Sequence, residues 1–413
     1  MSKAIRADFD DVTHALRSLI TPVQGPNEPV PLLEAEGRIL AECVVAHFDF
    51  PLFDNSAMDG FALRTADLPS DRPVQLPVCG IATAGHPFEG DIPKGAALRI
   101  MTGAPVPAGL DAVIPIEQVH EEENGILIDA PNLKPGTNVR RQGEIFRSGD
   151  TLLRAPRRLT RGDLGLAASL GYSDVVCRPA IRAAVFSSGD ELVEPGDGRP
   201  LAGGRIYNAN GTYVTLAARA LGIDARYCGI LPDNKQTIES RFREAAASND
   251  LVICSGGVGP GDCDFTAAVL NRLADLRHYH VALRPGKPFS FGYFKEAKSL
   301  ILGLPGNPVA SATSAENFLR TAADALQGIH IKPLTLTARL DGRIKSRPGR
   351  RDFVRGTLNT ADDGTLIFTP CPQQSSASLL SVSQSNAAAI VDEAVELLHE
   401  GDSVRVVIPQ QPL

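Results

Sequence analysis

The chain has 413 residues, a length that predicts roughly two to four domains because one hydrophobic core rarely grows so large. Its composition is 43% hydrophobic and 22% charged with a net charge of −7, which is ordinary for a globular protein and gives no general attraction for nucleic acid. Seven scattered cysteines without a Cys-x-x-Cys pair argue against a zinc site or a disulfide framework. Without a bilayer-length apolar run or an apolar signal core, we expect a cytoplasmic protein that binds neither membrane nor nucleic acid.

The N-terminal part of the chain combines helical and strand-like patterns. Apolar side chains at helical spacing predict a helix over residues 10–20, and a second helix is expected over 162–171, where Gly171 ends it. Between them, short apolar runs separated by many Pro and Gly residues predict a β-rich region. Because helical segments flank this region, we predict that it is inserted into a small helical or mixed N-terminal domain. The expected bounds are 50–145 for the inserted domain and 1–49 plus 146–178 for the N-terminal domain.

Residues 181–327 alternate apolar strand-like runs with amphipathic helices, which is the pattern of a parallel sheet covered on both faces. Helices are expected over 212–221, from a capping box at 233–236, and from 308 to about 326. This region therefore predicts a central doubly wound α/β domain over 179–330. Its expected strands are 181–186, 225–230, 251–254, 280–283, 289–294 and 300–304.

Beyond Pro333 the apolar pattern again becomes that of strands, separated by turn residues. We predict a small C-terminal β-barrel-like domain over 331–413, so that the whole chain is an α/β multidomain protein. The expected strands of this domain are 334–340, 352–358, 366–369 and 404–408.

Doubly wound sheets bind ligands beyond the carboxyl ends of their strands, and four of the turns predicted there are rich in glycine and polar side chains. Glycines let backbone N–H groups approach an anion, and the helix that begins after Asn307 directs its partial positive charge to the same edge. We therefore predict a phosphate or oxyanion site at this edge. The turns are Ser187-Ser188-Gly189-Asp190-Glu191, the segment from Ser255-Gly256-Gly257 to Asp264, Arg284-Pro285-Gly286-Lys287-Pro288, and Gly303-Leu304-Pro305-Gly306-Asn307-Pro308.

The charged side chains of these turns suit a pyrophosphate bridged by a metal ion. Arg284 and Lys287 supply cationic donors. Each turn alone could be purely structural, and it is the coincidence of four turns on one edge that favours a ligand site. No Gly-x-Gly-x-x-Gly follows the first strand and no Walker-type Gly-Lys-Ser/Thr occurs, which disfavours a dinucleotide or P-loop enzyme. Carboxylate oxygens suited to Mg²⁺ come from Asp190, Glu191, Asp262 and Asp264.

Five motifs occur in order along the chain: Asp54-Asn55-Ser56-Ala57-Met58-Asp59-Gly60, Arg99-Ile100-Met101-Thr102-Gly103-Ala104-Pro105-Val106-Pro107, Ser188-Gly189-Asp190-Glu191-Leu192, Pro285-Gly286-Lys287-Pro288 and Leu304-Pro305-Gly306-Asn307-Pro308-Val309. Together they resemble the molybdopterin molybdenumtransferases, the family that includes the bacterial enzyme and the E domain of gephyrin. The resemblance covers essentially the whole chain, and a chance match to all five motifs in this order is improbable.

The resemblance implies a four-domain homodimer that takes molybdate and adenylylated molybdopterin as substrates. The active cleft would lie between the β domain of one subunit and the α/β and C-terminal domains of the other. The implied reaction hydrolyses the adenylyl phosphoanhydride with Mg²⁺, leaves molybdenum on the pterin and releases AMP. The implied partners are the adenylyltransferase that precedes it and the molybdoenzymes that receive the cofactor.

The resemblance also implies a role for individual residues. The implied catalytic residues are Asp59, Thr102, Glu191, Asp233, Asp264 and Lys287. The implied ligands of the pterin substrate are Ser188, Gly189, Asp190, Ser255, Gly256, Gly257, Arg284, Pro285, Gly286, Pro305, Gly306, Asn307 and Ser376. The implied metal ligands are Asp190, Glu191 and Asp264.

Three positions depart from the pattern of the family. Ile145 follows Arg141-Gln142-Gly143-Glu144 where the family commonly has an acidic residue. Gly259, with Pro260 next, stands where the glycine-rich turn usually has a serine, and Arg284 replaces a lysine. These departures leave open a second hypothesis, a catalytically reduced paralogue that acts as a molybdopterin-binding carrier or scaffold. A third hypothesis, a preference for tungstate or service to a single client enzyme, is not separated from the first by the sequence.

Overall fold

The structure is a computed structural model that describes residues 4–69, 72–129, 133–198, 201–232, 234–257 and 265–409. The chain divides into two compact units. The larger unit contains Met1–Glu42, Ala155–Ala168 and Tyr172–Leu413, and the smaller unit contains Cys43–Arg154 and Ser169–Gly171. Within the described ranges no helix is both long and apolar enough to cross a membrane. The finer division into four domains remains a prediction.

A seven-stranded sheet, here called the central sheet, organises the larger unit. Its strands are parallel except for Pro288–Tyr293, which runs antiparallel between its two neighbours and corrects the expectation of a purely parallel sheet. The reason is that only six residues separate Val281 from Pro288, too few for the crossover that a parallel connection needs. The strand order across the sheet is Ile5–Ala7, Arg277–Val281, Pro288–Tyr293, Leu300–Leu304, Leu251–Ser255, Ile181–Ser188 and Ile223–Leu231.

Successive side chains of the central strands enter two different cores. In Ile181–Ser188, for example, Val185 packs in a core with the helices Phe9–Leu19 and Ala209–Ala220, whereas Phe186 packs in a second core on the opposite face. The second core lies under the helices Lys235–Ser248 and Phe265–Leu273. This division confirms the doubly wound arrangement predicted from the alternation of strands and helices.

The helices begin and end close to where the sequence predicts. The helix expected to open at a capping box over 233–236 begins at Lys235, and its N-cap is Asn234, whose side chain accepts a hydrogen bond from Thr237 N at 3.0 Å. Residue 233 lies outside the described residues. The helical segment expected from 308 consists of Pro308–Ser314, a π-helical turn Ala315–Leu319, and Arg320–Leu326. The other α-helices in the described residues are Arg161–Ser169 and Leu380–Ser383, and short 3-10 helices occur at Leu32–Glu34, Thr65–Asp67 and Ile116–Gln118.

The C-terminal residues form a barrel, and one strand from outside them pairs along it. Ala387–Val391 pairs with both Arg351–Thr360 and Ser403–Val407, so the sheet closes on itself. The sequence did not predict Ala387–Val391. It also extended the strand 280–283 too far, because the strand of the central sheet ends at Val281 and Leu283–Arg284 pairs with the barrel. The barrel order is Leu283–Arg284, Arg351–Thr360, Leu366–Pro370, Thr335–Leu340, Ser403–Val407 and Ala387–Val391.

The remaining strands form small sheets. In the smaller unit, where the sequence predicts a β-rich region, they are Gly60–Leu63, Val78–Ala82, Ala97–Ile100 and Ala112–Pro115; Val74–Leu76, His120–Glu122 and Gly125–Ile128; Asn55–Ser56 with Val139–Arg140; and Val44–Val45 with Thr151–Leu153. In the larger unit they are Glu28–Pro31, Ile39–Leu40, Arg157–Arg158 and Asp174–Cys177; Leu192–Val193 with Ile206–Tyr207; and Ile344–Lys345 with Leu397–Leu398.

Candidate functional site

The glycine turn at the end of Leu251–Ser255 is fixed by contacts on both sides. The buried Ser255 hydroxyl donates to Pro305 O at 3.2 Å, and Gly256 N donates to Leu304 O at 3.1 Å. Gly256 has φ +82°, and a Cβ there would lie 2.2 Å from Ser188 O. Only glycine fits this position, because any side chain would collide with the backbone of Ser188. The close approach brings three of the predicted turns into direct contact.

The turn after Ile181–Ser188 presents two carboxylates. Asp190 and Glu191 are adjacent and exposed, and Gly189 before them has φ +156°, a conformation that L side chains rarely adopt. The Ser188 hydroxyl shares a hydrogen bond of 2.8 Å with Thr266 Oγ1, which ties the turn to the helix Phe265–Leu273. Two neighbouring carboxylates are a donor set that Mg²⁺ uses together with substrate phosphates, so these residues fit the ion that the resemblance implies.

A cavity of about 800 Å³ opens at the carboxyl edge of the central sheet. It collects seven of the residues predicted to bind the pterin substrate, together with Lys287 from the catalytic set, and no pterin ligand from the other two turns is among its lining residues. The sequence did not predict that four further charged residues line it, namely Arg6, Asp8, Asp11 and Arg350. The seven predicted ligands in its lining are Arg284, Pro285, Gly286, Pro305, Gly306, Asn307 and Ser376.

A helix N-terminus faces this cavity. Asn307 occupies the N-cap position as predicted, but its side chain makes no capping hydrogen bond. Instead, Val309 N donates to the carbonyl oxygen of Ser376 at 3.2 Å, which holds the serine-rich segment against the start of the helix. The backbone position of Ser376, one of the predicted pterin ligands, therefore depends on the helix that begins at Pro308.

A fully buried carboxylate supports two cationic side chains of the cavity. Asp352 Oδ1 lies 3.0 Å from Arg350 Nε, and its Oδ2 lies 3.6 Å from Arg284 Nε. The Oδ1 contact is an ion pair by distance but lacks hydrogen-bond geometry, whereas Ser346 Oγ donates to Oδ2 at 3.0 Å. The cavity wall thus combines two arginines with a negative charge directly behind them.

The smaller unit brings together the two catalytic residues predicted there. Thr102 donates to Asp59 Oδ1 from its backbone N at 2.7 Å and from its hydroxyl at 2.6 Å. These hydrogen bonds, that of the hydroxyl first, hold the pKa of Asp59 below its ordinary value of 3.8. Asp59 and Thr102 are both exposed, so the carboxylate is ionised and open to solvent.

A second carboxylate of the smaller unit was missed by the sequence analysis. Asp54 accepts hydrogen bonds from Gln142 N at 2.8 Å and from Arg141 Nη1 at 2.6 Å, and these lower its pKa. Both hydrogen-bond donors belong to the segment Arg141-Gln142-Gly143-Glu144, and Asp54 is the first residue of the first family motif. Ile145, which stands where the family has an acidic residue, is 61% exposed.

Five of the predicted or departing positions lie outside the described residues, namely Asp233, Gly259, Pro260, Asp262 and Asp264. Within the residues that the structure does describe, no group of three or more His, Cys, Asp or Glu side chains is arranged to hold a metal ion. The third metal ligand that the resemblance implies is Asp264, so the proposed set cannot be assembled from Asp190 and Glu191 alone.

Three family models match successive parts of the chain: "MoeA N-terminal region (domain I and II)" over residues 8–171, "Probable molybdopterin binding domain" over 184–325, and "MoeA C-terminal region (domain IV)" over 337–408. Two relatives named molybdopterin molybdenumtransferase match nearly their full length. The protein from Haemophilus influenzae is 38% identical, and the match covers 95% of both chains. The protein from Bacillus subtilis is 32% identical, with 93% of this chain and 90% of that protein covered.

Solved structures agree with these matches. The crystal structure of a molybdopterin biosynthesis moeA protein from Pyrococcus horikoshii OT3 has a TM-score of 0.80 at 26% identity, and the match covers 98% of this chain and 100% of that chain. A second crystal structure of the moeA protein from the same organism has a TM-score of 0.73 at 30% identity. The multidomain α/β fold and the resemblance predicted from the motifs are confirmed. The chain therefore belongs to the molybdopterin molybdenumtransferase family of transferase enzymes.

Proposed function

We propose that this protein inserts molybdate into adenylylated molybdopterin, hydrolyses the adenylyl phosphoanhydride, and releases AMP and molybdenum cofactor. The observation that carries the proposal is the cavity at the carboxyl edge of the central sheet, where Arg284, Lys287, Asn307 and Ser376 converge. Relatives named for molybdenum transfer to molybdopterin, matched over nearly the whole chain, support the same assignment.

The charges of the cavity suit both oxyanions of this reaction. Arg284 supplies a planar guanidinium and Lys287 a mobile ammonium group, and the helix that begins at Pro308 adds the positive end of its dipole. These groups neutralise phosphate and molybdate oxygens as negative charge develops on them. Water cleaves the phosphoanhydride, so that one phosphate leaves in AMP and the other stays on the pterin. No nucleophile of the protein is required.

We assign the Mg²⁺ of this reaction to Asp190 and Glu191, with Asp264 as the third proposed ligand. The support is that the first two carboxylates are exposed and adjacent on a turn whose backbone is fixed by glycine. When bound, the ion offsets the charge of the substrate phosphates. Asp190 and Glu191 would hold the ion beside the glycine turn at Ser255, Gly256 and Gly257, because Ser188 of the same segment contacts that turn.

We further propose a cytoplasmic homodimer whose subunits share each active cleft. Asp59 and Thr102 would then serve the larger unit of the partner subunit, in which Glu191, Asp233 and Lys287 act. The adenylyltransferase that makes the substrate and the molybdoenzymes that accept the product are the proposed protein partners.

The decisive experiment measures AMP release by the purified full-length protein from authentic adenylylated molybdopterin. We expect release that requires both molybdate and Mg²⁺, and that falls at least about a hundredfold in Lys287→Ala because a charge that stabilises the transition state is lost. Lys298→Ala is the matched control, since Lys298 is exposed and outside the cavity lining, and it should retain the wild-type rate. Absence of AMP release by the wild-type protein would overturn the proposal.

The same assay tests the carrier or scaffold hypothesis, which the exposed Ile145 favours. That hypothesis expects tight pterin binding without molybdate-dependent AMP release, and recovery of release in the double variant Ile145→Asp with Gly259→Ser. Competition between molybdate and tungstate in the wild-type assay addresses the preference for either oxyanion.

A further inference from the structure

A buried carboxylate lies directly behind the cavity wall. Asp352 has no exposed surface, and Arg350 Nε and Arg284 Nε lie 3.0 and 3.6 Å from its two oxygens. Arg284 and Asp352 face each other across paired strands, and Ser346 Oγ fixes the carboxylate from the other side at 3.0 Å. We propose that Asp352 is a positioning residue that orients Arg284 and Arg350 so that their terminal nitrogens meet an oxyanion in the cavity.

The exposed fractions of the three side chains support this division of roles. The side chains of Arg284 and Arg350 are 43% and 28% exposed and line the cavity, whereas Asp352 at 0% cannot touch a ligand. Each arginine turns its Nε toward the carboxylate, so its two Nη groups remain available for the paired hydrogen bonds that guanidinium makes with oxyanions. Asp352 therefore acts on the ligand only through the arginines.

Because Asp352 is negatively charged, a positioning role and a purely electrostatic role predict opposite changes in the affinity for an anion. A carboxylate repels an anion bound nearby, so Coulomb's law alone predicts that removing its charge strengthens anion binding. Positioning predicts the opposite, because a guanidinium held in place loses less conformational freedom when the anion binds. The direction of the change in affinity therefore decides between the two.

Arg284 is a departure from the lysine of the family, and its chemistry fits this role. A guanidinium can keep one nitrogen on Asp352 while it presents two others to a ligand, but an ammonium group is a single point of charge. We therefore expect that this chain depends on the planar geometry at position 284 and not on its charge alone. The inference rests on the proposed function for the identity of the oxyanion.

The test is the equilibrium affinity of the full-length protein for molybdate alone and for inorganic pyrophosphate alone, measured by titration calorimetry. For the anion that the wild-type protein binds, Asp352→Asn should weaken binding about tenfold, because the two guanidinium groups are no longer held by ion pairs with a buried charge. Unchanged or tighter binding overturns the inference, as does a wild-type protein that binds neither anion. In an Arg284→Gln background the same substitution should change the affinity by a smaller factor, and an equal factor in both backgrounds also overturns it.

Two further variants keep the inference testable if Asp352→Asn does not fold. Arg284→Lys changes an exposed side chain and should also bind about tenfold more weakly despite its equal charge. Affinity equal to the wild type would contradict the inference. Arg351→Lys is the control and should bind as the wild type does, because Arg351 is paired with Asp10 and Glu393 and does not line the cavity. A wild-type protein that binds anion but releases no AMP would refute the proposed function alone, whereas AMP release with an unaltered Asp352→Asn affinity would refute only this inference.

Discussion

At the scale of single residues, the hydrogen bonds between Thr102 and Asp59 keep one carboxylate charged in the smaller unit. Thr102→Val removes the hydroxyl donor and leaves the backbone donor, so we expect the pKa of Asp59 to rise toward 3.8. The pKa of Asp59 is lower in the folded than in the unfolded state. The ionised carboxylate therefore stabilises the fold above the ordinary pKa, and this contribution is lost as the pH falls through the folded pKa. In Thr102→Val the stabilising contribution of Asp59 should be lost at a higher pH than in the wild type.

The measurement is a titration of the Asp59 carboxyl carbon by NMR in protein with labelled aspartate. Thr65→Val is the matched control in the same unit, because the Thr65 hydroxyl donates to Asp111 at 2.8 Å, and it should leave Asp59 unchanged. An Asp59 pKa that is the same in Thr102→Val and in the wild type would contradict the prediction.

Residues of the cavity differ in how far the sequence could predict them. Arg284, Lys287 and Asn307 follow strands of one sheet, and strand order alone places them on one edge. Arg6 and Arg350 could not be found in this way. They reach the cavity through pairing of Ile5–Ala7 with Arg277–Val281 and of Leu283–Arg284 with the barrel, contacts between distant segments that no local pattern predicts.

At the scale of elements, the glycine turn after Leu251–Ser255 makes a steric prediction. Gly256→Ala should lower the free energy of unfolding by about 2–4 kcal/mol, because alanine must adopt φ +82° and its Cβ would meet Ser188 O at 2.2 Å. Gly364→Ala is the matched control. Its φ is +84° with no atom within 4 Å of the added Cβ, so it should cost only about 1 kcal/mol.

Urea unfolding of both variants compares the two free energies. Equal losses in the free energy of unfolding would mean that the positive φ alone accounts for the glycine at position 256. The close approach of Ser188 would then add no energetic penalty. A larger loss in Gly256→Ala would support the close contact between the predicted turns.

The elements themselves were predictable where the apolar pattern is local. The helix Phe9–Leu19 and the strand Leu251–Ser255 follow from spacing and end signals. Ala387–Val391 does not, because its three alanines favour a helix in isolation, whereas its place in the barrel requires small buried side chains. The strand Pro288–Tyr293 was predicted, but its antiparallel direction was not, because the apolar pattern does not record strand direction.

At the scale of the whole molecule, Arg158 joins distant parts of the larger unit. It donates to Gly37 O, Leu221 O and Gln327 Oε1 at 3.0, 2.7 and 2.6 Å, and it lies 3.4 Å from the buried Asp324. Arg158→Ala should lower the free energy of unfolding by about 3 kcal/mol at neutral pH, because it leaves a buried carboxylate without its cation.

The pH dependence of this loss has a definite sign. Burial raises the pKa of Asp324, so its neutral form is favoured in the folded state as the pH falls toward that pKa. The loss of unfolding free energy in Arg158→Ala should therefore be larger at neutral pH than in mild acid, as measured by urea unfolding. Arg161→Ala removes an exposed ion pair with Glu36 and should change stability by less than about 1 kcal/mol. A deficit that grows as the pH falls would contradict this account.

The proposed sharing of each active cleft between subunits can be tested by mixing inactive variants. Asp59→Ala lies in the smaller unit and Lys287→Ala in the larger unit, and each homodimer should be inactive. Co-expression should restore about a quarter of the wild-type activity, because half of the dimers are mixed and each of these has one intact cleft. Glu191→Ala with Lys287→Ala is the control and should restore none, since both residues lie in the larger unit. Failure of the first mixture to regain activity would refute the shared cleft.

Closure of the C-terminal barrel has a consequence for the behaviour of the protein at high concentration. Among the described residues its pairings return from Ala387–Val391 to Arg351–Thr360, so the five strands of the closed ring have partners on both sides, and the outer strand Leu283–Arg284 is only two residues long. The central sheet does have two outer strands. One of them, Ile5–Ala7, is only three residues long, and the other, Ile223–Leu231, carries the exposed charges of Asp224 and Arg226. Short length and edge charge both oppose the addition of another strand at the two edges of the central sheet.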